Sequence, residues 1–325
     1  MKRLACALLL ASVMIAAGQA QAACTLVPAT PATFGAVSSI RVNTTVQATS
    51  TVNGGLRCSG SLLSLLSSTD HFYLKVTSAQ AGLQSTTGGE VISYTLYGDN
   101  TTSYPLTRGM EFDFARTNIL DLLGLLGSSQ PKAIPLYLRT VAGSNVPAGI
   151  YTETLTVNWR WDYCTGIGLL GVCLGRNNGN ESTSMTVTLT VTNDCQITAP
   201  NISFGSAPLV LGFATVSQAL SLACTKGSSY TVGLSDGSQP VSSGGRRRML
   251  GNGQYLAYDI FKGGGTVRWG STGSARRSST DAEVNPGAGT GAGSQVFNYN
   301  ARIYTDQPTP PVGAYVDNVI LDVAF

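Results

Sequence analysis

His71 is the single histidine of a 325-residue chain, and it follows Asp70. That pair is the first place to look for acid–base or nucleophilic chemistry. No serine occupies the strand–turn–helix elbow that such a dyad would serve, and one imidazole excludes metal sites built from several histidines. His71 is expected instead at the start of a strand. Cys164 and Cys173 have the wrong spacing for zinc and no histidine to complete a site. Arg246, Arg247 and Arg248, joined by Arg276 and Arg277, invite a phosphate or glycan reading; their Gly and Ser neighbours read more simply as a solvated loop. Asn-X-Ser/Thr sequences at Asn43, Asn100, Asn180 and Asn201 mean little in a chain read as bacterial. No enzymatic activity, metal or cofactor is expected. Only 11% of the residues are charged, against roughly 25% in ordinary soluble domains, which excludes nucleic acid as a charge-driven partner.

The residues that do stand out are apolar. Leu62, Leu63, Leu65 and Leu66 form one run; Ile119, Leu120, Leu122, Leu123, Leu125 and Leu126 form a second; Ile167, Leu169, Leu170, Val172 and Leu174 form a third. Each lies between predicted strands and is bracketed by Ser, Gly, Asn or Thr. One reading buries all fifteen as core, the second run as a short helix. The other exposes them as a surface-binding site that adheres to apolar material with little chemical selectivity.

The elements that must position these runs begin with an export signal. Lys2 and Arg3 precede an apolar stretch from Leu4 to Ala17, and Ala20-Gln21-Ala22 forms a small-residue cleavage site. Residues 1–22 are read as a signal peptide and the mature chain as starting at Ala23. Gln21 stands where a lipoprotein signal would place Leu. Cleavage leaves six cysteines, an even number that reads as disulfides in an exported protein. No other apolar segment reaches the roughly 18 residues needed to span a bilayer.

The mature chain repeats one plan. Cys24, Phe34-Gly35 and Cys58 are matched by Cys195, Phe204-Gly205 and Cys224. The run Ile92 to Tyr97, followed by Tyr104, parallels Leu256 to Phe261, followed by Trp269. Pro147, Gly149, Tyr151, Leu155 and Val157 parallel Pro311, Gly313, Tyr315, Val319 and Leu321. Two domains are expected, 23–193 and 194–325, joined with almost no linker. Equivalent positions pair Cys24 with Cys58 and Cys195 with Cys224, leaving Cys164 with Cys173. Segments such as Phe72–Val76, Tyr151–Trp161 and Met185–Val191 alternate or concentrate β-branched and aromatic residues. The fold class is all-β: two immunoglobulin-like antiparallel β-sandwich domains. In the first copy the strand around Tyr151 to Trp161 is followed by another, Ser184 to Thr192. The second copy has no counterpart and is expected to be incomplete, lacking its last strand. A sandwich open at such an edge invites strand addition by a partner. Only Ala23 precedes Cys24, so the chain is expected to receive a strand and to have none to give, which places it at one end of a polymer.

Cys195, Phe204-Gly205, Cys224, Tyr230, Arg248-Met249, Leu256-Ala257-Tyr258, Trp269-Gly270, Gln307 and the close from Pro311 to Phe325 resemble the spore coat protein U domain family. The two-domain arrangement resembles the tip adhesins of archaic (Csu-type) chaperone–usher pili. The resemblance implies an N-terminal adhesin domain and a C-terminal pilin domain, export through the periplasm to the cell surface, and a place at the pilus tip. It implies a periplasmic chaperone, an outer-membrane usher and an adjacent pilin subunit donating an N-terminal strand. It also implies attachment to hydrophobic abiotic surfaces and biofilm formation. The first copy matches the family only in outline, and the Gly/Ser/Arg-rich stretch 271–294 is unusual for it. An alternative is a lectin-like, glycan-binding tip in which Trp159, Trp161 and Tyr163 recognise the receptor and the leucine runs are core. In a seven-strand sandwich the three runs share one end if residues 90–116 cross the domain an odd number of times.

Overall fold

The structure is a computed structural model in which residues 24–28, 31–51, 55–58, 69–117, 134–169 and 172–325 are described. Residues 1–22, read as a signal peptide, lie outside them. The first half holds β1 Cys24–Val27, β2 Ala32–Ser38, a short helix α1 Ser39–Thr44, β3 Ala48–Ser50, β4 Gly55–Cys58, β5 His71–Thr77, β6 Leu83–Ser85, β7 Val91–Ile92, β8 Tyr94–Tyr97, β9 Pro105–Leu106, β10 Glu111–Asp113, β11 Tyr137–Thr140, β12 Gly149–Leu169 and β13 Val172–Thr192. The second holds β14 Cys195–Thr198, β15 Val216–Cys224, β16 Thr231–Leu234, β17 Arg247–Gly251, β18 Gln254–Lys262, β19 Arg277–Ser278, β20 Gln295–Ile303 and β21 Leu321–Ala324.

Period-two patterning explains the central hairpin. Along β12, Tyr151, Leu155, Val157, Trp159, Trp161 and Tyr163 face inward and are buried, while Thr154, Thr156 and Arg160 face out. Met185, Val187, Leu189 and Val191 of β13 repeat the pattern. Burial of each such aliphatic side chain stabilises the fold by about 1.5–3 kcal/mol. Glu153 breaks the apolar series at an inward position, and the Arg108 guanidinium, with Nη2 3.0 Å from Glu153 Oε2, compensates its charge. One sheet has the order β10-β5-β12-β13-β2 and faces a second, β3-β11-β8-β9. One core runs from Cys24 to Val191. Among the described residues of this half the ladders are antiparallel except one: β2 lies parallel to β13, with Val187 opposite Ala32 and Val191 opposite Val37.

The second half repeats this plan around its own core, from Val210 to Ile303. Cys195 stands opposite Cys224 in the β14–β15 ladder, as Cys24 stands opposite Cys58 in β1–β4. The β5–β12 and β5–β10 pairings recur as β16–β21 and β16–β19. Gly35 and Gly205 both have positive φ, 74° and 72°, which accounts for the repeated Phe-Gly. Tyr151 donates from its hydroxyl to Pro147 O at 2.9 Å, and Tyr315 to Pro311 O at 2.7 Å. Cys164–Cys173 and Cys195–Cys224 are disulfides, and Cys24 is disulfide-bonded. No helix among the described residues is long and apolar enough to cross a membrane.

Candidate functional site

The polar candidates are structural. His71 begins β5, and its Nδ1 lies 2.7 Å from Asp113 Oδ2. Asp70 serves a different partner: its Oδ1 accepts from Cys164 N at 3.0 Å and lies 3.4 Å from Arg176 Nη1. The arginine run corrects the solvated-loop expectation, because Arg247 and Arg248 open β17, Arg246 directly precedes it, and each guanidinium is engaged. Arg246 forms a two-pronged pair with Asp306, both contacts 2.7 Å, and covers the Tyr304 ring. Arg247 is 0% exposed and donates to Asp259, Ser235 O, Leu234 O and Trp269 O. Arg248 donates to Gln239 O and Pro240 O. Burial pulls the Arg247 guanidinium below its ordinary range while the Asp259 charge opposes that shift. Among the described residues no cluster of three or more His, Cys, Asp or Glu could hold a metal ion.

Trp159, Trp161 and Tyr163 are at most 5% exposed. That overturns their assignment as glycan-facing side chains: they are inward positions of β12, and Trp159 packs on Phe114. Burial pushes the Tyr163 hydroxyl up to about 12.

Leu62, Leu63, Leu65, Leu66, Ile119, Leu120, Leu122, Leu123, Leu125, Leu126 and Leu170 lie outside the described residues. For Ile167, Leu169, Val172 and Leu174 the backbone alone is described; it continues β12 and β13, with an irregularity between Cys164 and Ile167. The described flanks of all three runs come together. Arg176, beside the third run, contacts Asp162 at 2.8 Å and Thr69 O at 2.8 Å, immediately after the first. His71 joins this corner to Asp113, whose other oxygen accepts from Phe72 N and Ala115 N just before the second run. Past the second run, Ile134 N donates to Leu56 O, two residues before Cys58 and the first run. The route between them fits the parity argument: β7 and β8 run toward this pole, β9 returns and β10 runs toward it again. The pole is the far end of β13, whose 21 residues span roughly 65 Å at ~3.3 Å each before Asp194. Sequence reading missed the Asp70, Asp162 and Arg176 corner. Its signal was charged residues close beside apolar runs in a charge-poor chain.

In the second half, the place that β13 fills in the first is an open groove of about 340 Å³. Its walls are Ala199 to Phe204 on one side and Tyr315 to Leu321 on the other, over Leu220, Tyr258 and Ile260. Tyr151, Glu153, Leu155 and Val157 are at most 3% exposed beneath β13, whereas their counterparts Tyr315, Asp317, Val319 and Leu321 are half-buried. Residues 202–208 form no strand although the equivalent Ala32–Ser38 does. Asp317 is anchored in the groove by Tyr258 Oη at 2.8 Å and Ser238 N at 2.7 Å.

Comparison with known proteins places this repeat. A chain from the chaperone–tip adhesion subunit pre-assembly complex CsuC–CsuE of archaic Csu pili of Acinetobacter baumannii shares the fold, with a TM-score of 0.62 and 24% identity over 93% of this chain and 100% of that one. The CupB6 tip adhesin from Pseudomonas aeruginosa aligns over 92% of this chain and 93% of its own at 13% identity, but its TM-score of 0.28 bears no weight. No curated protein sequence matches significantly. The Spore Coat Protein U domain model matches residues 10–158 and again 181–322, so both copies carry it, the first as well as the second. The chain belongs to the spore coat protein U domain family.

Proposed function

We propose that the protein is a tip adhesin of an archaic chaperone–usher pilus, exported through the periplasm to the cell surface. Domain 23–193 contacts the surface and domain 194–325 anchors it. The carrying observation is the convergence of the flanks of all three leucine-rich runs at the pole of the first domain farthest from the second. Partial burial of fifteen aliphatic side chains contributes on the order of 15 kcal/mol. Association costs of roughly 4–15 kcal/mol take much of this, and many pili on one cell restore grip through avidity. Such a pole needs no shaped pocket, which suits hydrophobic abiotic surfaces and biofilm formation.

The groove is read as the seat of a donor strand, first from a periplasmic chaperone at the outer-membrane usher and then from the adjacent pilin subunit. The first domain supplies the template. The incoming strand would run antiparallel to 313–321 and parallel to 202–207, with alternate apolar residues inward as in Met185, Val187, Leu189 and Val191. The test of the adhesive pole is retention on polystyrene of chains carrying Leu65→Ser, Leu123→Ser and Leu170→Ser. Retention should drop with the melting curve preserved. Unchanged retention in a folded triple variant removes the hydrophobic-tip reading, and loss of folding returns the leucines to the core.

A further inference from the structure

The stretch 271–294 divides into two parts. Its first half belongs to the second core: β19 pairs with β16, and Arg277 lies over the Trp269 and Phe297 rings. The second half, 285–294, is rich in Gly and contains no strand, a composition that ordinarily gives a flexible coil. Here it is held from both sides. Gln295, 0% exposed, donates from Nε2 to Asn285 O at 2.8 Å and Gly287 O at 2.9 Å. Gly227 N donates to Gly289 O at 2.7 Å, Gly289 N to Ser228 O at 2.8 Å and Gly291 N to Cys224 O at 2.9 Å. A methyl group on Gly289 would press on the Cys224 and Thr225 carbonyls, and one on Gly291 would overlap Asn145 of the first domain. At Gly289 close approach to backbone requires glycine, and at Gly291 a positive φ of 74° requires it as well.

The loop thus reaches the first domain, where Asn145 Nδ2 donates to Thr290 O at 3.0 Å. Beside it, the linker is clamped. Thr225, 1% exposed, donates its hydroxyl to Asp194 O at 3.1 Å and accepts from Asp194 N at 2.8 Å. Its remaining lone pair takes the Ser39 hydroxyl, 2.6 Å away and also buried, so the hydrogen-bonding capacity of Thr225 Oγ1 is complete. Lys226 pairs with Glu90 at 3.3 Å, and the Cys195–Cys224 disulfide fixes the next residues on either side. Three contacts from separate parts of the first domain meet the second here: Ser39 and Glu90 reach the turn at Thr225 and Lys226, and Asn145 reaches the 285–294 loop packed on it.

We propose that this turn and the 285–294 loop form a rigid joint that locks the two domains in one orientation. Two domains joined by a short linker ordinarily move relative to each other; here the polar contacts remove that freedom. Load on the pole of the first domain then passes to the second without bending at residue 194.

The test measures inter-domain distances in the full chain by pulsed electron resonance. Nitroxides are placed on non-cysteine handles at the exposed positions Thr186 and Thr266, leaving the disulfides intact. The unsubstituted chain should give one narrow distance peak. The variant S39A/E90Q/N145A should broaden it into several, with circular dichroism unchanged. Gly291→Val, which leaves the Ser39–Thr225 contact alone, should displace or broaden the peak by itself. A broad distribution in the unsubstituted chain overturns the proposal. So does a narrow, unmoved peak in both variants.

Discussion

Arg247 shows how a residue's role depends on what surrounds it. In the sequence it is the middle of a basic run; in the fold it is the centre of a buried network with Asp259, which also receives Arg268 Nε at 2.9 Å and Tyr304 Oη at 3.2 Å. Removing one partner of a buried pair costs about 3–5 kcal/mol because the other charge is stranded. Arg247→Ala should therefore destabilise the second domain by about 3 kcal/mol in chemical denaturation, whereas Arg246→Ala, at an exposed pair, should cost about 1 kcal/mol or less. Asp236 gives a pH signature. Burial pushes its carboxyl up, but the Gly244 N–H and Arg268 outweigh burial and hold it below the ordinary carboxylate range. A folded-state value below the unfolded one means the stabilisation is present above about pH 4 and is lost as the pH falls further. The melting temperature should stay level with respect to this group from neutral pH down to that point and then drop, and Asp236→Asn should flatten that acid arm. His71 was legible as the first residue of a strand, since one imidazole without a nucleophile leaves little else. The destinations of the three guanidiniums were not, because carbonyls contributed by Leu234, Ser235 and Trp269 converge only in three dimensions.

At the scale of elements, the body of the β12–β13 hairpin was readable over Tyr151 to Trp161 and Ser184 to Thr192, but the segment between, expected as a loop, continues β12 to Leu169 and β13 from Val172; the bridge near its tip followed from the repeat, as the pair left over. Cys164 and Cys173 close a short loop with Cα atoms 5.8 Å apart. In the chain-entropy account such a loop is worth about 2.5 kcal/mol. Cys164→Ser/Cys173→Ser should lower surface retention while leaving the hairpin body intact, with amide exchange accelerating near the tip and unchanged at Tyr151 to Trp159. The groove lies where the second copy was expected to be incomplete. Its walls were not legible, because residues 202–208 occupy the place of the strand Ala32–Ser38 and yet form no strand. A synthetic peptide with the sequence of residues 183–192 should raise the melting temperature of the full chain in proportion to the logarithm of its concentration. A scrambled peptide of the same composition should not. No shift with the matched peptide would remove the donor-strand reading of the groove.

Across the whole molecule, the proposed adhesive pole and the groove lie on different domains, and sites far apart with no shared partners act additively. Peptide binding in the groove should leave polystyrene retention unchanged, and the leucine substitutions should leave peptide affinity unchanged; a cross-effect in either titration would show that the two are one site. The sequence by itself determined the strand periodicity, the two copies and the Cys164–Cys173 and Cys195–Cys224 pairs. All of these are properties of spacing and repetition along one dimension, and each copy acts as a check on the other. Only the tertiary structure decided that Trp159, Trp161 and Tyr163 are core, that the three arginines are each paired within the chain, and that a Gly-rich stretch of the second half meets Asn145 of the first. Those outcomes depend on which backbone carbonyls and which opposing sheet each side chain meets, and distant parts of the chain supply them. The convergence of the flanks of the three leucine-rich runs stands between the two. Counting strand passes predicts it, but the geometry of Thr69, Asp113, Cys164 and Arg176 brings those flanks to one pole.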